Sequence, residues 1–291
     1  MKYEAFGLSD VGLVRSNNED SYLIDKDIHL FIVADGMGGY QKGEVASKII
    51  CDSMGEFLRD LASKEAFEYT QENIRQAIVK ANSDIRQKIL DSPGLERMGS
   101  TVISLSFNAD KAIVMNVGDS RAYLFRKNKL EQISVDHSLV QETKAAGIKK
   151  ELPNQFRNIV TRAVGMKDSV EPDFYPNKLK LHDKYLLCSD GLHGYVSDKR
   201  IREILSNGGN LESQAQTLIK CAKDEGGGKD NVTCLLIEIT ESPKPSTEST
   251  QTITLTIPSK TANKEIIIEK KNLHLLFILF LLIIVYVYIY F

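Results

Sequence analysis

The chain reads as an α+β fold, two antiparallel β-sheets stacked face to face with helices outside. Two observations carry that reading. Strand-like runs, short and mostly β-branched, cluster at the start, again in the middle and once more late in the folded part. Helical patterns fall between these clusters in pairs, each with a single apolar stripe, so each covers one sheet face. The one-by-one βαβ alternation of a parallel sheet is missing.

The strand-like runs are residues 3–8, 21–24, 30–34, 101–107, 112–117, 122–125, 185–188 and 232–239, several bounded by Gly, Asp or Asn. Between the early and middle strands, Ala46, Ile50, Met54, Phe57, Leu58 and Leu61 recur at spacings of three and four. Ile74, Ile78, Ala81, Ile85 and Ile89 repeat the pattern. Two further helices follow the strand at 185: residues 198–205, with Ser197 or Asp198 as N-cap, and residues 211–222.

Residues 1–240 therefore form one folded unit. The stretch 241–272 is rich in Ser, Thr, Pro and Lys, lacks a helical stripe and reads as a disordered linker. From Leu275 to Phe291 every residue is apolar or aromatic, and Leu273 and His274 extend the run. As a helix, 273–291 spans roughly 28 Å, enough for the hydrocarbon core of a bilayer. Tyr286, Tyr288 and Tyr290 suit an interfacial aromatic belt, and Lys264, Lys270 and Lys271 precede the span. The expected topology is a single-pass C-terminal anchor, inserted after translation, with the folded unit 1–240 cytoplasmic.

Composition narrows the function. The 291 residues include 37 Lys and Arg against 39 Asp and Glu, a net charge of −2, and no basic run points to nucleic acid. Cys51, Cys188, Cys221 and Cys234 make no C-x-x-C pair, which argues against zinc or redox chemistry. None is followed six residues later by Arg, so a phosphate-cradling thiolate loop is absent too. Buried or half-buried free thiols in a reducing compartment are the expectation.

The acids fall in a pattern. Asp35 follows the apolar run FIVA, Asp119 follows IVMNVG, Asp190 follows YLLCS, and Asp230 stands just before VTCLLIEI. Any one of them reads as a turn residue, since Asp-Gly and Asp-Asn are common turn dipeptides. Four at strand ends can converge on one edge of a sandwich. Clustered carboxylates repel unless cations neutralise them, and an all-oxygen set suits Mg²⁺ or Mn²⁺. In RSNNED, Arg15 precedes the pair Glu19 and Asp20, and an Arg beside such a pair suits a phosphate anchor.

The segments SDVGLVRSNNED, VADGMGGYQKGEVAS, MGSTV, NVGDSRAYL, DHSLVQE, LLCSDGLHGYVSD and GGKDNVT stand in the order and approximate spacing of the type 2C metal-dependent serine/threonine protein phosphatases. The chain resembles the bacterial branch of that family over roughly residues 1–240. The resemblance implies a four-layer α-β-β-α sandwich. It implies two metal ions that share an attacking water, with no covalent enzyme intermediate. Asp35 matches the bridging ligand and the Gly36 carbonyl a contact to one ion. Asp190 and Asp230 match the remaining ligands of the other. Glu19 and Asp20 match acids that hold metal directly or through water. Asp119 matches the acid of a third, weaker ion, and Arg15 the anchor of the substrate phosphate. Where some relatives carry a proton-donating His, this chain has Met37. Residues 146–173 resemble the family's flap, with Leu152-Pro153-Asn154 in place of its H-P element. The resemblance implies phosphoprotein substrates; tethering by the C-terminal segment adds membrane-associated ones, a serine/threonine kinase among them, and a monomer is expected. A catalytically silent signalling module and a hydrolase of small phosphoesters are the alternatives. The silent module is disfavoured because no metal acid and no Arg15 is lost.

The five histidines, His29, His137, His182, His193 and His274, show no ligand-pair spacing and are expected to be structural, with His137 capping the helix after it.

Overall fold

The computed structural model describes residues 2–38, 42–64, 67–92, 97–148, 153, 156 and 159–241, and the backbone of 252–257 and 264–269. The strands of the larger unit are β1 (Tyr3–Asp10), β2 (Asp20–Asp25), β3 (Leu30–Met37), β4 (Gly99–Ser100), β5 (Val102–Asn108), β6 (Lys111–Val117), β7 (Arg121–Arg126), β8 (Lys129–Gln132), β9 (Asp173–Lys178), β10 (Lys184–Cys188) and β11 (Val232–Ile239). Its helices are α1 (Gly43–Ala62), α2 (Gln71–Leu90), α3 (Leu139–Ala145), α4 (Asp190–His193), α5 (Asp198–Ser206) and α6 (Leu211–Gly226).

One sheet runs β1-β11-β10-β7-β8 and the other β2-β3-β5-β6-β9, with β4 paired to β3, and every ladder is antiparallel. Side chains alternate as the two-residue period demands. On β3, Leu30, Ile32 and Ala34 face α1 and α2, while Phe31 and Val33 face the other sheet. On β10 and β11, Leu186, Cys188, Cys234 and Leu236 join α5 and α6, while Tyr185, Leu187, Leu235 and Ile237 turn inward. Three apolar layers therefore separate four layers of structure, as the sequence implies. Each fully buried Leu or Ile in them contributes about 1.5–3 kcal/mol.

The helix starts are set by local chemistry. Thr70 caps α2 in a reciprocal capping box with Asn73. Of the two candidates, Ser197 is the cap of α5. Asn210 caps α6, which ends on Gly227 in the left-handed region. One expectation fails here: Ser138, not His137, caps α3, its hydroxyl accepting from the Gln141 N–H. All four cysteines are buried thiols.

The chain divides into two compact units, Met1–Pro245 and Ser246–Phe291. In the second, β12 (Thr252–Ile257) and β13 (Lys264–Glu269) pair antiparallel, within the stretch read from composition as a linker. The alternating TITLTI and the β-branched run of KEIIIE account for the pairing. No helix among the described residues is long and apolar enough to cross a membrane, and the segment 273–291 lies outside them.

Candidate metal centre

Strand register brings the acids to one edge. Asp20 stands opposite Asp35 across the β2–β3 ladder, so both side chains project from the same face. That face is the inner one, because Asp35 continues the alternation of Phe31 and Val33. In the facing sheet, the end of β10 lies beside the start of β11, with Cys188 opposite Cys234. Asp190 leaves the first and Asp230 enters the second at that same edge. β6 ends beside the start of β5, Val117 opposite Val102, which delivers Asp119 there as well.

Hydrogen bonds join the two sheets through these groups. The Ser189 hydroxyl donates to Asp20 Oδ2 at 2.7 Å and accepts from the Thr233 N–H at 3.0 Å. Asp35 is held at its backbone: its N–H donates to Thr101 Oγ1, while its carbonyl accepts from the Thr101 N–H and the Ser100 hydroxyl.

Burial and mutual repulsion suppress ionisation. Burial first, then Asp20, Asp190, Asp119 and Asp230, hold the Asp35 carboxyl well above the usual range. Burial likewise raises Asp20, outweighing hydrogen bonds from Thr233 and Ser189. Asp190 rises through burial and Asp230. Asp119 is pushed up to about 7 by burial, Asp190 and Asp136. Glu19 is raised chiefly by burial, against the Gly43 N–H at the first turn of α1.

The backbone here is packed too closely for side chains. A Cβ on Gly36 would lie 2.0 Å from the Gly43 carbonyl oxygen, and one on Gly191 would lie 1.8 Å from that of Asn231. Only glycine lets the Gly36 carbonyl reach the cleft beside α1.

Arg15 is half-exposed and pairs with Asp230, its Nη2 3.0 Å from each carboxylate oxygen. Burial works against the guanidinium charge, yet Asp230, Glu19 and Asp35 hold its pKa above the ordinary value. The pair occupies Asp230, and among the described residues no three acid, imidazole or thiol groups close into a ready-made ligand shell.

A divalent cation fits the cleft all the same. Asp20 Oδ1 is buried with no hydrogen-bond partner, an orphaned anionic acceptor of the kind a cation satisfies. The converging donors are carboxylates, which suit Mg²⁺ or Mn²⁺. Asp20, Asp35, Asp119 and Asp190 share the cleft, with Glu19, Asp230 and Arg15 at its mouth.

Several residues that hold the site lie inside the quoted segments, yet nothing in the sequence assigned them this role. Asn231 is buried; its Oδ1 accepts from the Glu19 N–H at 2.8 Å, and its Nδ2 donates to the carbonyls of Val11 and Asn17. Read as half of a turn dipeptide, it is in fact the tie between the Arg15 loop and β11. Ser47 holds the same loop through the Glu19 carbonyl, at 2.6 Å. His137 Nδ1 accepts from the Gly118 N–H, which leaves Nε2–H to donate to Asp173. His193 donates to the Asp119 carbonyl, and burial pushes its pKa down to about 4, so it is a neutral strut.

Comparison with known proteins agrees with this geometry. Residues 14–236 match the family model described as Protein phosphatase 2C. The chain is 34% identical over 236 residues to the serine/threonine phosphatase stp of Listeria welshimeri, covering 79% of this chain and 93% of that one. It is 33% identical over 240 residues to the protein phosphatase PhpP of Streptococcus pneumoniae, covering 80% and 96%. The crystal structure of the serine/threonine phosphatase PstP/Ppp of Mycobacterium tuberculosis superposes with a TM-score of 0.74 at 34% identity, covering 82% and 99%. The catalytic domain of PstP in complex with two manganese ions gives a TM-score of 0.73 at 34% identity, again covering 82% and 99%.

Proposed function

This chain belongs to the protein phosphatase 2C family, and we propose that it hydrolyses phosphoserine and phosphothreonine in proteins with two Mg²⁺ or Mn²⁺ ions. The observation that carries the proposal is the facing pair Asp20 and Asp35, the first buried and the second half-buried, both reluctant to ionise, with Asp20 Oδ1 unpartnered among the described residues. Asp35, Asp190 and Asp230 hold the cations, with the Gly36 carbonyl, Glu19 and Asp20 in support and Asp119 holding a third. Bound there, the cations neutralise the carboxylates, polarise the phosphoryl group and activate the attacking water.

The chain's own groups do the rest. Arg15 and Asp230 serve as each other's counter-ion until substrate arrives. The guanidinium then turns its planar fork to the phosphate oxygens and stabilises their developing charge. Asp230 is freed toward the cleft by the same movement. Met37 has no proton to give, and His137 and His193 are committed to Asp173 and a backbone carbonyl. The leaving alkoxide therefore takes its proton from water.

The apolar segment 273–291 tethers the protein to a membrane. Its support is the uncharged run from Leu275 to Phe291 and the lysines before it. Substrates then include membrane-associated phosphoproteins, a serine/threonine kinase among them.

The test is turnover of a phosphothreonine peptide by the full chain with Mn²⁺. We expect Asp35→Asn and Asp190→Asn to lower kcat/KM at least about a hundredfold in folded protein, because each removes a charge the cations need. Folded wild-type protein without metal-dependent turnover would sink the assignment. A phosphotyrosine peptide run in parallel settles residue preference.

A further inference from the structure

Beside the acid cleft lies a cavity of about 440 Å³. Arg86, Ile89 and Leu90 line it from the C-terminal end of α2, Arg97 and Met98 from the approach to β4, and Met166 from the segment that returns past β4. Ile89, Leu90, Met98 and Met166 give the lining its apolar part, and Arg86 and Arg97 bring two guanidiniums to it. Arg86 pairs with the exposed Asp168, whereas Arg97 is exposed and has no ion-pair partner among the described residues.

The wall is built by buried groups. Asn82 on α2 accepts from the Gly165 N–H at 2.7 Å and donates to the carbonyls of Lys167 and Asp168 at 3.1 and 3.2 Å. Gly165 takes a φ of +88° and packs onto α2 where a Cβ would meet Ile85 Cγ2 at 2.4 Å. Leu90 and Met166 nonetheless stay 78% and 44% exposed, apolar surface that no described residue covers, beside a guanidinium that no described acid pairs.

The cavity is continuous with the catalytic edge. Met98 leads into Gly99, which pairs with Met37, and Ser100 pairs with Gly36. A Cβ on Gly38 would lie 3.5 Å from the Arg97 carbonyl oxygen. At ~5 Å across a ladder and ~3.4 Å along a strand, the rim lies roughly 7–10 Å from the Gly36 peptide. That is two or three residues of extended chain.

We infer that this cavity is a substrate subsite that receives an anionic side chain, carboxylate or phosphate, two or three residues from the phosphoresidue being hydrolysed. Arg97 and Arg86 hold the anion, and the apolar floor takes the methylenes of the intervening residue. The inference rests on the protein-phosphatase reading and adds a sequence preference to it.

The test uses full-length protein with Mn²⁺ and phosphothreonine peptides that carry Ala, Asp, phosphoserine or Lys at the second and third positions on either side. Hydrolysis of p-nitrophenyl phosphate runs alongside. On one side of the phosphothreonine, Asp and phosphoserine raise kcat/KM about tenfold over Ala, through KM, and Lys lowers it. Arg97→Ala erases that preference and leaves p-nitrophenyl phosphate turnover unchanged, and Arg97→Lys restores part of it. Equal kcat/KM for all peptides overturns the subsite and leaves the phosphatase reading intact. Turnover of p-nitrophenyl phosphate with none of any phosphopeptide overturns both. Stimulation of p-nitrophenyl phosphate hydrolysis by free pyrophosphate, lost in Arg97→Ala, overturns the subsite in favour of an effector site.

Discussion

Asp20 and Asp35 face each other across one ladder, and without a cation neither sheds its proton readily. Asp190 and Asp119 share the behaviour, the latter with a pKa of about 7. A carboxyl raised in the folded state binds more protons there than in the unfolded chain between pH ~4 and ~7. Metal-free protein must therefore lose stability as pH rises through that window, by on the order of 4 kcal/mol from Asp119 alone. Cations reverse the effect. Mn²⁺ at a hundred times its Kd stabilises by about 2.7 kcal/mol, a rise in Tm of roughly 5–10 °C for a domain of this size. The rise should be larger at pH 7.5 than at pH 5, where protons compete. Thermal melts of chelator-treated protein with and without Mn²⁺ measure it, and no rise at pH 7.5 counts against the cleft as a metal site. At this scale the reading of the sequence went far. The acids were visible as Asp at the ends of apolar runs, and the family resemblance supplied the role proposed for each. The Arg15–Asp230 pair was not visible, because it joins residues at opposite ends of the domain.

The strand ends do the positioning, and Asn231 shows how. One buried side chain, just before β11, ties the 11–19 loop at Val11, Asn17 and Glu19, and so fixes the stretch that carries Arg15. Asn231→Ala removes those three hydrogen bonds and leaves the Glu19 N–H and the Val11 and Asn17 carbonyls without that partner, a cost of about 1–3 kcal/mol. Mn²⁺ affinity should fall about 10- to 100-fold, as for other residues that orient ligands without touching metal. A calorimetric Mn²⁺ titration of folded variant checks this; unchanged affinity would assign Asn231 to the fold alone. Within the larger unit, the strands that escaped sequence reading are short or polar. β8 is the four-residue KLEQ, half exposed, and β4 has only two residues. β9 contains Pro176, tolerated because β9 is the edge strand of its sheet. His137 looked like a cap because it precedes a helix, yet its partners are Gly118 and Asp173, far from that helix in sequence.

Across the whole molecule, two sheets clasp an apolar interior and leave one edge to acids. The 273–291 segment adds a separate expectation, that full-length protein sediments with membranes and a chain ending at residue 241 stays soluble. Since the unit Met1–Pro245 is compact by itself, both forms should hydrolyse a soluble phosphopeptide within about twofold of each other. Fractionation of expressing cells decides it, and full-length protein in the soluble fraction removes the anchor. Periodicity, caps and the order of seven motifs were enough to establish four layers, the acidic edge and the family, because each is written within a few neighbouring residues. Folding alone decided how the acids are held. Ser189 reaches Asp20 from the other sheet, Asn231 reaches Val11 across most of the domain, and Asn82 builds the cavity wall beside Arg97. Contacts between residues so far apart in the chain leave no period or spacing to read, and only the packing of the layers brings them together.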